Sequence, residues 1–180
     1  MQPIIVLAVS GSLRADSTNT ALLRACMLLA PPQMRIVLAT DIGLLPHFNA
    51  DLDNEVPPPA VVQWRAQVGS ANALLIASPE YARGVPGTIK NALDWLAGST
   101  DIVDKPVALI NGSPRATIAQ ESLALTLGTV SAKVIAPQAY LAPIAGKAPP
   151  PEVIAADPVL AAPLRRALND LAREVRLSFE

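Results

Sequence analysis

Residues 8–25, "AVSGSLRADSTNTALLRA", leave an apolar run, spend a dozen positions on small polar residues and one arginine, and turn apolar again. Ser12, Ser17, Thr18, Asn19 and Thr20 set hydroxyl and amide groups at the start of a helical pattern. Unpaired backbone N–H groups and the helix dipole already favour an anion there. Arg14 adds a full positive charge on a fork suited to phosphate, and Gly11 permits a tight exit from the preceding run. Helix capping by Ser17 or Asn19 alone, worth about 1 kcal/mol, accounts for one such residue and not for five together with an arginine. No Gly-Lys-Ser/Thr follows and no G-x-G-x-x-G is present, so neither a nucleoside triphosphate nor a Rossmann-bound dinucleotide is the natural ligand. A monophosphate fits best.

A second candidate loop is "SPEYARGVPGTIKNALDWLAG", residues 78–98. Pro79 stiffens the exit from a strand, Tyr81 offers a flat ring, and Gly84 and Gly87 let backbone approach a planar ligand. A phosphate at the first loop and a flat ring at the second describe a flavin mononucleotide. No catalytic triad is visible, and a flavin needs none, because the isoalloxazine carries the redox chemistry.

These loops must be placed by the elements around them. "IIVLAVS" at 4–10 is a continuous apolar, β-branched run, the type found where both faces of a strand are covered. "RIVLA" at 35–39, "ALLIAS" at 73–78 and "PVALING" at 106–112 repeat it, and "AKVIAP" at 132–137 is a weaker fifth. Amphipathic segments over Thr20–Leu29, Ala60–Ser70, Gly87–Leu96, Ile118–Leu127 and about Pro158–Leu177 alternate with them. That alternation predicts one α/β domain over residues 1–180. Its sheet is a flavodoxin-like five-stranded parallel sheet, order 2-1-3-4-5, with helices on both faces. Ligands of such sheets bind beyond the carboxyl ends of the strands, where both loops lie. The Pro-rich stretch at 137–153 is expected to be an ordered surface connection without ladder pairing, since proline lacks the donor.

A chain of 180 residues with 51% hydrophobic residues can bury a substantial core. Net charge is −1 with no basic run, which excludes the electrostatic footprint of a nucleic-acid binder. No apolar run reaches the length of a bilayer span, and the N-terminus lacks a basic leader, so a cytoplasmic, membrane-free protein is expected. Cys26, the single cysteine, sits at a core-like helical position and is read as packing, and no metal site is expected. His47, the single histidine, is read as a surface or rim residue, and Lys90 and Asp94 as an i, i+4 pair. Trp95 is expected to pack in the core or at a subunit contact.

"GSLRADSTN" at 11–19 and "PEYARGVPGTIKNALDW" at 79–95, supported by "LPHFNADL" at 45–52, resemble the NADPH-dependent FMN reductases. That family includes quinone, chromate and azo-dye reductases. The resemblance implies that Ser12, Arg14, Ser17, Asn19 and Thr20 bind the FMN phosphate. It also implies that Pro79, Glu80 and Tyr81 lie along the isoalloxazine, and that Ser113 of "NGSPR" closes its far side. Arg83 and Arg115 are candidates for the phosphates of NADPH, and Glu80 is expected to shape its loop. NADPH as donor, FMN as cofactor, a small-molecule acceptor, ping-pong kinetics and a homodimer or homotetramer follow from the same resemblance. The family usually carries Asn after Pro-Glu-Tyr where this chain has Ala82, and its fourth-strand loop is commonly richer in glycine. The same residues would serve a flavin-binding electron carrier, or a domain that binds another phosphate.

Overall fold

The computed structural model describes residues 3–136 and 138–179. Six strands, β1 (Ile4–Ser10), β2 (Met34–Leu38), β3 (Ala73–Ala77), β4 (Pro106–Asn111), β5 (Lys133–Val134) and β6 (Tyr140–Leu141), form one parallel sheet. The order is β2-β1-β3-β4-β5, with β6 also on β4. The helices are α1 (Thr18–Leu29), α2 (Pro59–Ser70), α3 (Gly87–Asp94), α4 (Thr117–Thr129), α5 (Pro151–Ala156) and α6 (Pro158–Leu177).

Successive side chains of a strand point to opposite faces, and the core divides accordingly. Ile4, Val6, Ala8, Leu75 and Ile110 pack with α1, α5 and α6, whereas Leu7, Val9, Leu74, Ile76 and Leu109 pack with α2, α3 and α4. Both faces are therefore covered, which is why β3 and β4 are buried along their whole length. Trp95 is fully buried in the second cluster, and Cys26 in the first, where burial pushes its thiol up to about 12.

The fifth sheet position differs from expectation. β5 pairs Lys133 with Pro106 and Val134 with Val107, and β6 then resumes with Tyr140 opposite Ile110. The register therefore advances by three residues between the two halves. The Pro-rich stretch thus does enter the ladder, at Tyr140 and Leu141, which lie between its prolines. Its end also opens α5, whose first residue is Pro151, a position where the missing N–H costs nothing.

α3 carries the loop after β2. Asn91 donates to the Pro46 carbonyl at 2.9 Å and accepts from the Phe48 amide at 2.8 Å, while the Trp95 indole donates to the same carbonyl at 2.8 Å. Lys90 and Asp94 form the expected pair at 2.6 Å on the exposed side.

Candidate functional site

Three loops at the carboxyl ends of β1, β3 and β4 enclose a cleft of about 340 Å³, within the usual size of small-molecule sites. The first is residues 11–17, between β1 and α1. It closes on the second through a backbone bond from Gly11 N–H to the Ala77 carbonyl at 2.8 Å. Only glycine fits at position 11, since a Cβ there would stand 2.4 Å from Ser78 Oγ and 2.9 Å from Ser78 Cβ.

Ser12, Arg14, Ser17 and Asn19 all line the cleft, joined by Thr18. Ser12, Ser17 and Asn19 are buried polar residues facing a concavity, which a chain tolerates only with partners for their polar atoms. Ser17 is also the N-cap of α1, its Oγ accepting from Thr20 N–H at 3.3 Å. The first intrahelical bond runs from Ala21 N–H to the Ser17 carbonyl, so the N–H groups of Thr18 and Asn19 lie ahead of it. Thr20 does not line the cleft. Its hydroxyl pairs with Ser10 Oγ at 2.9 Å, which fastens α1 to the end of β1.

The second loop brings Pro79, Glu80 and Tyr81 to the cleft, with Tyr81 half exposed along its wall. Glu80 does not present a free carboxylate: its Oε2 accepts from Ala119 N–H at 2.9 Å in the first turn of α4. Beyond it the chain reverses in a two-residue turn, Tyr81 N–H to the Gly84 carbonyl at 3.1 Å and Gly84 N–H to the Tyr81 carbonyl at 2.9 Å. Ala82 and Arg83 occupy its centre at φ 49° and 58°. Left-handed backbone at both central positions is the mark of a type I′ turn. Asparagine tolerates that conformation better than alanine does. The turn tip carries Arg83 outside the cleft, so the structure does not bring Arg83 together with the other candidates. Gly84 and Gly87 do not line the cleft either. The positive φ values here belong to Ala82 and Arg83, not to the glycines.

The third loop follows β4. Ser113 and Arg115 line the cleft, with Asn111, Gly112 and Ala116 beside them. Asn111 folds this loop back, accepting from Ser113 N–H at 2.9 Å and donating to the Ala116 carbonyl at 3.3 Å. Ile144, from the Pro-rich stretch, completes the wall and is held by a bond from its N–H to the Gly112 carbonyl at 2.9 Å. Sequence reasoning passed over Ser78, Asn111 and Ile144. The one available signal was that Asn111 ends β4 and Ser78 directly follows β3, just as the first site loop directly follows β1. Ile144 gave none.

Arg14 and Arg115 bring two cations to the cleft, and Glu80, the only acid among its described lining residues, is committed to α4. An electropositive cleft with hydroxyls, an amide and a helix start at one end and a tyrosine ring at the other suits a phosphate monoester bearing a flat ring. FMN is such a molecule, and the donor set fits it. His47 is exposed on the loop after β2 and does not line this cleft. Among the described residues no group of His, Cys, Asp and Glu could hold a metal ion, and no helix is long and apolar enough to cross a membrane.

The sheet order, with a cleft at its switch point, defines a flavodoxin-like fold. Residues 4–147 match the model of the NADPH-dependent FMN reductases, and the chain belongs to that family. It is 43% identical over 112 residues to an NAD(P)H-dependent FMN reductase of Pseudomonas aeruginosa, covering 61% of this chain and 60% of the relative. It is 42% identical over 117 residues to an NADPH:quinone oxidoreductase of Arabidopsis thaliana, covering 62% and 59%. These matches span about three fifths of the relatives' length. FerB, a flavoenzyme NAD(P)H:(acceptor) oxidoreductase of Paracoccus denitrificans, superposes with a TM-score of 0.80 at 32% identity, covering 97% of this chain and 98% of that one.

Proposed function

We propose that this chain is an NAD(P)H-dependent flavin oxidoreductase that holds FMN in the cleft and passes electrons from NADPH to a small acceptor such as a quinone, a flavin, chromate or an azo compound. The observation that carries this reading is the meeting of Ser12, Arg14, Ser17 and Asn19 with Pro79 and Tyr81 in one cleft. The names of the relatives and of FerB support it.

In this reading Ser12, Arg14, Ser17, Asn19 and the start of α1 hold the phosphate. Pro79, Glu80 and Tyr81 border the ring on one side, with Ser113 and Arg115 opposite. When bound, FMN supplies the two-electron chemistry that links a nicotinamide to an acceptor. The protein's share is placement: Gly11 keeps the phosphate and ring loops in contact, and the half-exposed Tyr81 leaves the ring edge open to solvent. Arg115, inside the cleft, takes over from Arg83 as the nearer candidate for an incoming anionic donor.

Donor and acceptor would share the one open side in turn, which gives ping-pong kinetics. Exposed Leu13 and Leu44, 64% and 73% accessible, line one groove beside the phosphate loop and support a homodimer or homotetramer that covers them. A cytoplasmic location goes with the nicotinamide donor. Initial rates of NADPH oxidation at varied quinone test the proposal: parallel double-reciprocal lines support it, and intersecting lines that require a ternary complex oppose it. A quinone-independent, negligible rate in FMN-loaded protein would favour an electron carrier.

A further inference from the structure

Gln120 lies outside any role so far assigned and Glu80 has been given only a place beside the ring, yet the two join the ring loop to α4 at two neighbouring points. α4 begins badly. Its N-cap is Ala116, which has no side chain to offer, and no acid occupies its first turn. Helix starts leave N–H groups that need acceptors, and here one is supplied from 39 residues away, by Glu80 Oε2 on Ala119 N–H at 2.9 Å. The next residue returns the contact: Gln120 Nε2 donates to the Ser78 carbonyl at 3.0 Å.

Gln120 is 7% exposed, and its Oε1 is buried without a hydrogen-bond partner among the described residues. A buried, unpaired carbonyl costs free energy, so the side chain is retained for what its amide nitrogen does. Ser78 in turn stands against Gly11 of the phosphate loop. A line of contacts therefore runs from α4 through Glu80 and Gln120 to Ser78, and from there to the phosphate loop.

We propose that Glu80 and Gln120 are positioning residues that lock the ring loop onto α4 and thereby set the affinity of the cleft for FMN. The inference rests on the flavin reading above. Glu80, with one oxygen engaged on α4, acts through loop placement and not as a proton donor. The carboxylate is well suited to the task, because a negative charge at a helix start is favoured by the dipole.

The test compares wild-type protein with Glu80→Ala, Glu80→Gln, Gln120→Met and Leu125→Gly. Leu125 is 75% exposed in mid-helix, so its replacement weakens α4 without touching the loop. FMN dissociation constants are read by flavin fluorescence titration, and exchange of the Ala119 amide is read in the apoprotein. Expected are a roughly tenfold weaker FMN affinity in Glu80→Ala, equivalent to about 1.4 kcal/mol, and affinity within about twofold of wild type in Glu80→Gln, which keeps an acceptor. Leu125→Gly lowers the melting temperature with unchanged FMN affinity. Gln120→Met behaves as Glu80→Ala does.

Equal losses of affinity in Glu80→Ala and Leu125→Gly would reduce the contact to helix stability and overturn the proposal. So would Ala119 exchange in Glu80→Ala that is no faster than in wild type. The exchange arm needs no ligand, so failure of the lock is distinguishable from a wild-type protein that binds no FMN, which overturns the proposed function and the affinity half of this one.

Discussion

Replacing Gly11 with alanine tests the closure of the phosphate loop on the ring loop. The added Cβ would meet Ser78 at Oγ, Cβ and Cα, at 2.4, 2.9 and 3.1 Å. The hydroxyl can rotate away, but the Cβ and backbone of Ser78 move only if the end of β3 moves. That strand end is held by the Gly11 N–H bond to Ala77 and the Gln120 bond to Ser78. Overpacking of this kind costs about 1–3 kcal/mol. Taking about 2 kcal/mol, a domain of this size loses about 4–8 °C of melting temperature. If the two loops separate rather than unfold, the same energy appears as up to about 30-fold weaker FMN binding. Gly128→Ala is the control: nothing lies within 4 Å of its Cβ position in α4, and it should stabilise by about 0.5–1 kcal/mol. Thermal denaturation and FMN titration read both effects. A Gly11→Ala protein as stable as wild type, with unchanged FMN affinity, would refute the reasoning.

Arg14→Ala should weaken FMN binding about 10- to 100-fold, the worth of one charged hydrogen bond, with little change in melting temperature because the side chain is exposed; titration calorimetry checks it. Asp53 makes two contacts with Arg65, at 2.8 and 2.9 Å, and the hydrogen bond from that guanidinium holds its carboxyl below the usual carboxylate range. A depressed carboxyl stabilises above its unfolded pKa and loses that contribution as pH falls through the folded one. Asp53→Asn should therefore flatten the acid limb of stability below about pH 5 in urea denaturation. Cys26, with its thiol pushed up to about 12 and fully buried, should not react with a disulfide reagent at pH 8 until denaturant is added.

How much of this was legible follows from the range of each signal. The strands were readable because runs such as "IIVLAVS" carry their own burial pattern, and α6 was readable in extent, with Pro158 at its first position, where the missing N–H costs nothing. That Ser12, Arg14, Ser17 and Asn19 share one cleft was legible in outline, since they lie close together in one short loop. Nothing in the composition says that the Thr20 hydroxyl turns back to Ser10 rather than lining the cleft. The position of Arg83 outside the cleft lining was not legible, because a turn with two left-handed non-glycine residues is a tertiary outcome that no propensity favours. The broken fifth strand hid for a similar reason: two-residue pieces have no periodicity, and the flanking prolines argued against pairing that happens between them. Glu80 was expected to shape its loop, but its partner on α4 lies 39 residues away and leaves no local trace.

The central claim is best tested by the visible spectrum of the purified protein with added FMN, followed by NADPH under anaerobic conditions. The account predicts a protein-bound flavin band that bleaches on addition of NADPH and returns when a quinone is supplied. Protein that neither carries nor takes up FMN, or whose bound flavin band survives NADPH unchanged, would contradict it.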